Sequence, residues 1–125
     1  MTDQPWQGDA CSLVDEFRAG HRSPVDELDS TLAAIEASDL NAIAHLDPDG
    51  ARRFAASADV EAPFGGVPLG IKELDQVEGW PDTHACEVLA DHVGTYTLTH
   101  IERLVAAGAV PVGMTTASEF GGVNL

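Results

Sequence analysis

The sequence has a single lysine. Lys72 and the arginines make only 6 basic residues against 21 acidic ones, for a formal net charge of -15 over 125 residues. A surface of that sign repels a phosphate backbone, which excludes nucleic acid as a direct partner. The acidic residues are scattered through helical stretches rather than gathered in a block, so they read as solvated helix faces and not as an acidic binding tail. Cysteine is scarce too. Cys11 and Cys86 are too few and too far apart for a disulfide framework, no C-x-x-C is present, and a reducing cytoplasm is the expected compartment. There is no long hydrophobic run, and Met1-Thr2-Asp3-Gln4-Pro5-Trp6 lacks the basic start and apolar stretch of a signal peptide, so no membrane association is expected. Internal repeats and low-complexity segments are also absent.

What is present is the composition of a folded chain. Apolar residues make up 44% and charged residues 22%, enough apolar material for one compact domain with a real core. Leu13, Val14 and Phe17 fall at helical spacing between Asp9, a plausible cap, and Gly20, a C′ glycine. Ser23-Pro24 supplies an N-cap followed by proline at the first helical position. Val25, Leu28, Leu32 and Ile35 then recur on one face, which predicts a helix from about Pro24 to Ala37. Asn41 to Leu46 reads as extended, and Asp47-Pro48-Asp49 opens a third helix carrying Arg52, Arg53 and Phe54.

From Pro63 the character changes to glycine, proline and β-branched residues. A buried strand is expected at about Val67 to Lys72, followed by a hairpin-like excursion through Val77. Leu98, Ile101, Leu104 and Val105 form a helix face that Gly108 closes, and the apolar run from Ala109 to Met114 is the next strand. Strand, helix, strand implies a parallel pair with a right-handed crossover. Thr116-Ala117-Ser118-Glu119 fits a capping box, so another helix is expected there. The fold class is α/β: a helical wrapper over about 9–60, then the opening βαβ unit of an α/β sheet over about 63–125.

Lys72 ends an apolar strand beside Gly70, the place where α/β sheets carry reactive groups. A lysine held in a water-poor site has its ammonium form disfavoured and can serve as a general base toward a hydroxyl. From spacing alone the simpler reading is an exposed strand-end lysine that keeps the sheet edge soluble.

A resemblance reverses that balance. The run Phe64-Gly65-Gly66-Val67-Pro68-Leu69-Gly70-Ile71-Lys72-Glu73 resembles the segment of amidase-signature enzymes in which Gly-(Ile/Val)-Pro leads into a (Val/Ile)-Lys-(Asp/Glu) pair. The block from Ala106 to Thr116, followed by Glu119-Phe120-Gly121, is similar to that family's Ala-Gly-Ala strand and Glu-Phe stretch. Arg22-Ser23-Pro24-Val25-Asp26, the Asn41-Ala42 turn and the Leu46-Asp47 pair resemble its N-terminal helical region. The resemblance implies that the sheet is mixed, and it implies a Ser-cisSer-Lys triad that hydrolyses a small-molecule carboxamide to acid and ammonia or amine, with no metal or cofactor. Only the lysine of the triad lands on this chain, at Lys72.

The same resemblance puts both serines in a Gly-Gly-Ser-Ser-Gly-Gly type loop downstream of the Glu-Phe-Gly block, and these 125 residues contain no such loop. Ser12, Ser23, Ser30, Ser38, Ser57 and Ser118 read as caps, turns and helix faces. Residues 1–125 are accordingly expected to be the N-terminal part of a single amidase domain, inactive alone, and prone to self-association through an exposed sheet edge.

Two departures stand out. Asp82-Thr83-His84-Ala85-Cys86 replaces the family's Thr-Thr-x-Gly-Ser, and Met114 stands where the subunits of tRNA-dependent amidotransferases usually carry lysine. The glutaminase-type subunit of such an amidotransferase is one alternative reading, and a non-catalytic binding or assembly fragment is another. His84, His92 and His100 are evenly spaced but match no metal-ligand pattern, and His84 with Cys86 lacks the orienting group and oxyanion loop of a thiol nucleophile. Gly65-Gly66 and Gly121-Gly122 are turns, without the context of a phosphate loop.

Overall fold

The computed structural model describes residues 4–122. Helix α1 spans Ala10–Arg18 and α2 spans Pro24–Glu36. Both start as their caps dictate: the Asp9 carboxylate accepts from the Ser12 amide at 2.8 Å, and the Ser23 hydroxyl oxygen accepts from the Asp26 amide at 3.1 Å. Strand β1 (Ile43–Leu46) leads directly into α3 (Pro48–Ala56), capped by the Asp47 carboxylate on the Gly50 amide at 3.0 Å. Strand β2 (Pro68–Lys72), α4 (Thr99–Ala106) and β3 (Val110–Thr115) complete the regular elements, with short 3₁₀ turns at Glu87–Leu89 and Glu119–Gly121.

Among the described residues the sheet has three strands in the order β1-β3-β2, with β2 parallel to β3 and β1 antiparallel to it. The expected parallel pair is therefore present. Its central strand is β3, buried from Val110 to Met114, and β1, the piece read only as extended, becomes an edge strand. A proline inside a central strand removes a ladder donor. The ladder accommodates Pro111 by a bulge: Leu69 pairs with Pro111 and Gly70 with Gly113, which leaves Val112 as the extra residue. The Val112 carbonyl accepts from the Asp47 amide at 2.9 Å and ties the start of α3 to the sheet.

The main core lies where α2 and α3 cover one face of the sheet. Leu28, Ala51, Ala55, Val110 and Val112 are buried together, with Val25, Leu32 and Ile35 packed around them. That is the helical face read from the sequence, and small residues on α3 let it approach closely. Phe54 of α3, Ile71 of β2, Ile101 of α4, Pro111 of β3 and Trp80 line a cavity of about 490 Å³.

Two expectations are corrected. The capping box at Thr116 does not start a helix. The Thr116 hydroxyl donates to the Asn41 carbonyl at 3.3 Å, the Ser118 hydroxyl donates to the Gly122 carbonyl, and Phe120 takes a φ of +50°, so the segment closes as a single 3₁₀ turn. A cap whose hydroxyl is engaged elsewhere leaves the helix start unsatisfied. The hairpin-like excursion is also longer than the stretch through Val77. Its antiparallel bridge is Pro81 with Val93, and the chain returns to α4 only at Leu98, whose amide donates to the Gln76 carbonyl at 3.1 Å.

Candidate functional site at the end of the parallel strands

Lys72 is the last residue of β2 and pairs in register with Thr115, the last residue of β3. Its side chain is exposed, and its ammonium makes no hydrogen bond or ion pair among the described residues. The backbone around it is closely fixed. Its carbonyl accepts from the Asp75 amide at 2.8 Å, which turns the chain sharply after the strand. Gly70 leaves room for the Thr115 methyl, which a side chain at that position would meet at 3.1 Å.

Glu73, directly after the lysine, is only 9% exposed. Its amide donates to the Thr115 carbonyl at 3.0 Å, extending the parallel ladder by one rung, and its carboxylate accepts from the Ala117 amide at 2.5 Å. The sequence offered Glu73 only as half of a Lys-Glu pair. Its partner lies 44 residues away, and no local pattern announces it.

The excursion after β2 folds back beside this end of the sheet, and one side-chain amide joins its outgoing and returning arms. Gln76 donates to the Asp82 carboxylate at 2.7 Å and accepts from the Thr95 and Tyr96 amides at 3.0 and 3.2 Å. His84 brings Nε2 within 3.4 Å of the other oxygen of Asp82, which is buried and has no hydrogen-bond partner among the described residues. The His84 ring stacks on Phe120, with centroids 5.9 Å apart and an interplanar angle of 16°, while the Phe120 amide donates to the His84 carbonyl at 2.9 Å. His84, Ala85 and Phe120 all carry φ of +50° to +56°. Left-handed backbone at non-glycine residues is uncommon and is kept only where surrounding contacts impose it.

The remaining sequence candidates separate cleanly. His84 is paired with Asp82 and not with Cys86, whose thiol is buried, and both cysteines are free. His100 lies 3.4 Å from Asp75, His21 lies 3.4 Å from Glu16, and His45 packs edge-on against Trp80. Among the described residues, no group of three or more His, Cys, Asp or Glu side chains gathers as a metal site. The serines make local bonds of the kind expected: Ser23 caps α2, Ser57 donates to the Arg53 carbonyl at the end of α3, and Ser30 donates to the Asp26 carbonyl within α2. No helix among the described residues is long and apolar enough to cross a membrane.

The family model named Amidase matches residues 27–123, which takes in most of α2, the strands β1 to β3 and the Lys72 turn. The chain belongs to the amidase family. A glutamyl-tRNA(Gln) amidotransferase subunit of Akkermansia muciniphila is 35% identical over 115 residues, covering 91% of this chain and 24% of the relative. The corresponding subunit of Acidobacterium capsulatum is 38% identical over 112 residues, covering 82% of this chain and 24% of the relative. This amidase chain thus spans about a quarter of the length of such relatives. Among solved structures, a bacterial aryl acylamidase of the amidase-signature family superposes with a TM-score of 0.83 at 25% identity, covering 90% of this chain and 26% of that one. A peptide amidase bound to the inhibitor chymostatin gives a TM-score of 0.83 at 27% identity, covering 91% of this chain and 26% of that one.

Proposed function

We propose that this chain supplies the general base of an amide-hydrolysing site, that Lys72 is that base, and that the two serines it serves come from sequence outside these 125 residues. In the triad implied by the family, the neutral amine accepts a proton from the bridging serine, which in turn deprotonates the nucleophilic serine. The nucleophile attacks the carboxamide carbon, ammonia or amine leaves, and water releases the acid from the acyl-enzyme. No metal or cofactor enters this scheme. The substrate class is a small-molecule carboxamide, and the compartment is the cytoplasm.

The observation that carries the reading is the setting of Lys72: a side chain with no hydrogen bond or ion pair among the described residues, at the C-terminal end of a parallel strand pair and inside the segment matched by the Amidase model. An ion pair would hold the ammonium and oppose its conversion to the neutral amine, the form that accepts a proton. Lys72 has no such partner among the described residues, which leaves its nitrogen open to a serine hydroxyl.

The glutaminase-type subunit of a tRNA-dependent amidotransferase is a second reading, favoured by the amidotransferase relatives at 35% and 38% identity. Met114 weighs against it. The residue that replaces the usual lysine is an apolar side chain, 2% exposed, on the central strand.

The scheme assigns no turnover to the chain by itself. The experiment is reconstitution: the chain is mixed with the serine-bearing remainder of a family amidase, such as the peptide amidase, and amide hydrolysis is followed. Activity in the mixture and in neither part alone supports the proposal. Hydrolysis by this chain alone, above a Lys72→Ala control, overturns it.

A further inference from the structure

Lys72 has no side-chain partner among the described residues, so whatever aims it must act through the backbone. Three contacts do so: register with Thr115, the turn closed by the Asp75 amide, and Glu73. Glu73 differs from the other two because it is an ionisable side chain, 9% exposed, in a place where burial of a carboxylate is costly unless hydrogen bonds compensate. It makes no ion pair with its neighbour Lys72. Instead its amide bonds the Thr115 carbonyl and its carboxylate bonds the Ala117 amide, so a single residue grips both sides of the step by which the chain leaves β3. A carboxylate accepting from a backbone amide is a charge-assisted bond, among the stronger ones available to a loop.

The loop so gripped is the one held on its far side by His84, where Phe120 keeps its left-handed backbone. Two tethers from two segments fix one loop at the end of the parallel strands.

We infer that Glu73 is a positioning residue for Lys72: its buried carboxylate locks the loop leaving β3 onto the end of β2 and so sets the direction in which the lysine side chain leaves the sheet. The inference rests on the reading of Lys72 as the base. A base must stand within about 3 Å of the hydroxyl it serves, and a flexible four-carbon stem meets that demand only from a fixed root. Glu73→Gln keeps an acceptor oxygen at the same reach. Glu73→Asp keeps the charge but is one methylene short of Ala117, and Glu73→Ala removes the acceptor.

The single lysine makes the test direct, because ¹³C-dimethylation of the full 125-residue chain labels one side chain besides the N-terminus. Amide exchange at Ala117 and the Lys72 dimethyl resonance are measured in wild type and the three variants. Loss of the acceptor in Glu73→Ala is expected to raise Ala117 exchange on the order of tenfold to a hundredfold, with protection along Val110–Met114 retained. The lysine resonance shifts and broadens with it, Glu73→Gln restores both, and Glu73→Asp restores neither. Unchanged Ala117 exchange and lysine resonance in Glu73→Ala overturn the inference. So does a uniform loss of protection across β3, or rescue by aspartate as complete as by glutamine. If Glu73→Ala does not fold, the glutamine-aspartate comparison makes the same decision. None of these readouts needs turnover, so a failure of Lys72 as base in the reconstituted enzyme is separable from a failure of Glu73.

Discussion

Arg22 and Glu27 form an ion pair almost wholly withdrawn from water, their side chains 9% and 4% exposed. The Glu27 carboxylate also accepts from the Trp6 amide at 3.0 and 3.2 Å, the Arg22 guanidinium donates to the Gln4 carbonyl at 3.0 Å, and it lies over the Trp6 ring at 5.8 Å. This cluster is the clasp that fastens residues 4–6 to α2. Removing one member leaves the other charge buried and unpaired, so Glu27→Ala is expected to destabilise the fold by about 3–5 kcal/mol. Replacing both residues by apolar side chains of similar volume is expected to cost far less. Urea unfolding of the three proteins checks the pair, and equal losses in the single and double variants contradict it.

Gly113 shows why the sheet needs a glycine in its central strand. It pairs with Leu46, and a Cβ at that position meets the carbonyl oxygen of His45 well inside contact distance. Gly113→Ala is therefore expected to push β1 off β3 at a cost of about 1–3 kcal/mol. Thermal unfolding measures the cost, and a stability equal to wild type refutes the close approach.

The strand order leaves β1 and β2 each with one unpaired side among the described residues, and we propose that the chain self-associates through these edges. Ala44 is exposed at the middle of β1. A lysine there, Ala44→Lys, should shift sedimentation toward monomer at a concentration where wild type associates. A wild-type chain that stays monomeric at every concentration ends the proposal.

Acid should act on α1 through its cap. The Ser12 backbone and side-chain hydrogen bonds hold the Asp9 carboxyl below its ordinary value of 3.8. A group whose native value is depressed adds stability above its unfolded value, and that stability is lost as pH falls through the native one. The melting temperature of wild type should therefore fall more steeply below pH 3.8 than that of Asp9→Asn, whose side chain caps without titrating. The effect is small because Asp9 is exposed, and parallel curves for the two proteins contradict it.

Much of the architecture was legible because it is written locally. Asp9, Ser23-Pro24 and Asp47-Pro48 each announce a helix within four residues, and the apolar runs ending at Lys72 and Met114 each announce a strand. What was missed depends on partners far along the chain. Thr116 reads as a cap until Asn41, 75 residues earlier, takes its hydroxyl. Gln76 shows no sign in sequence of gathering Asp82, Thr95 and Tyr96, and Glu73 none of reaching Ala117. The position of Lys72 was legible; the scaffold that holds its strand end was not.

The most direct test of Lys72 as base uses the reconstituted enzyme. Lys72→Ala removes an exposed side chain that has no partner among the described residues, so the chain should keep its stability within about 0.5 kcal/mol and still assemble with the serine-bearing remainder. Its kcat/KM on an amide is expected to fall by roughly 10²–10⁴. A folded, assembled Lys72→Ala enzyme that hydrolyses the amide at the wild-type rate would contradict the account.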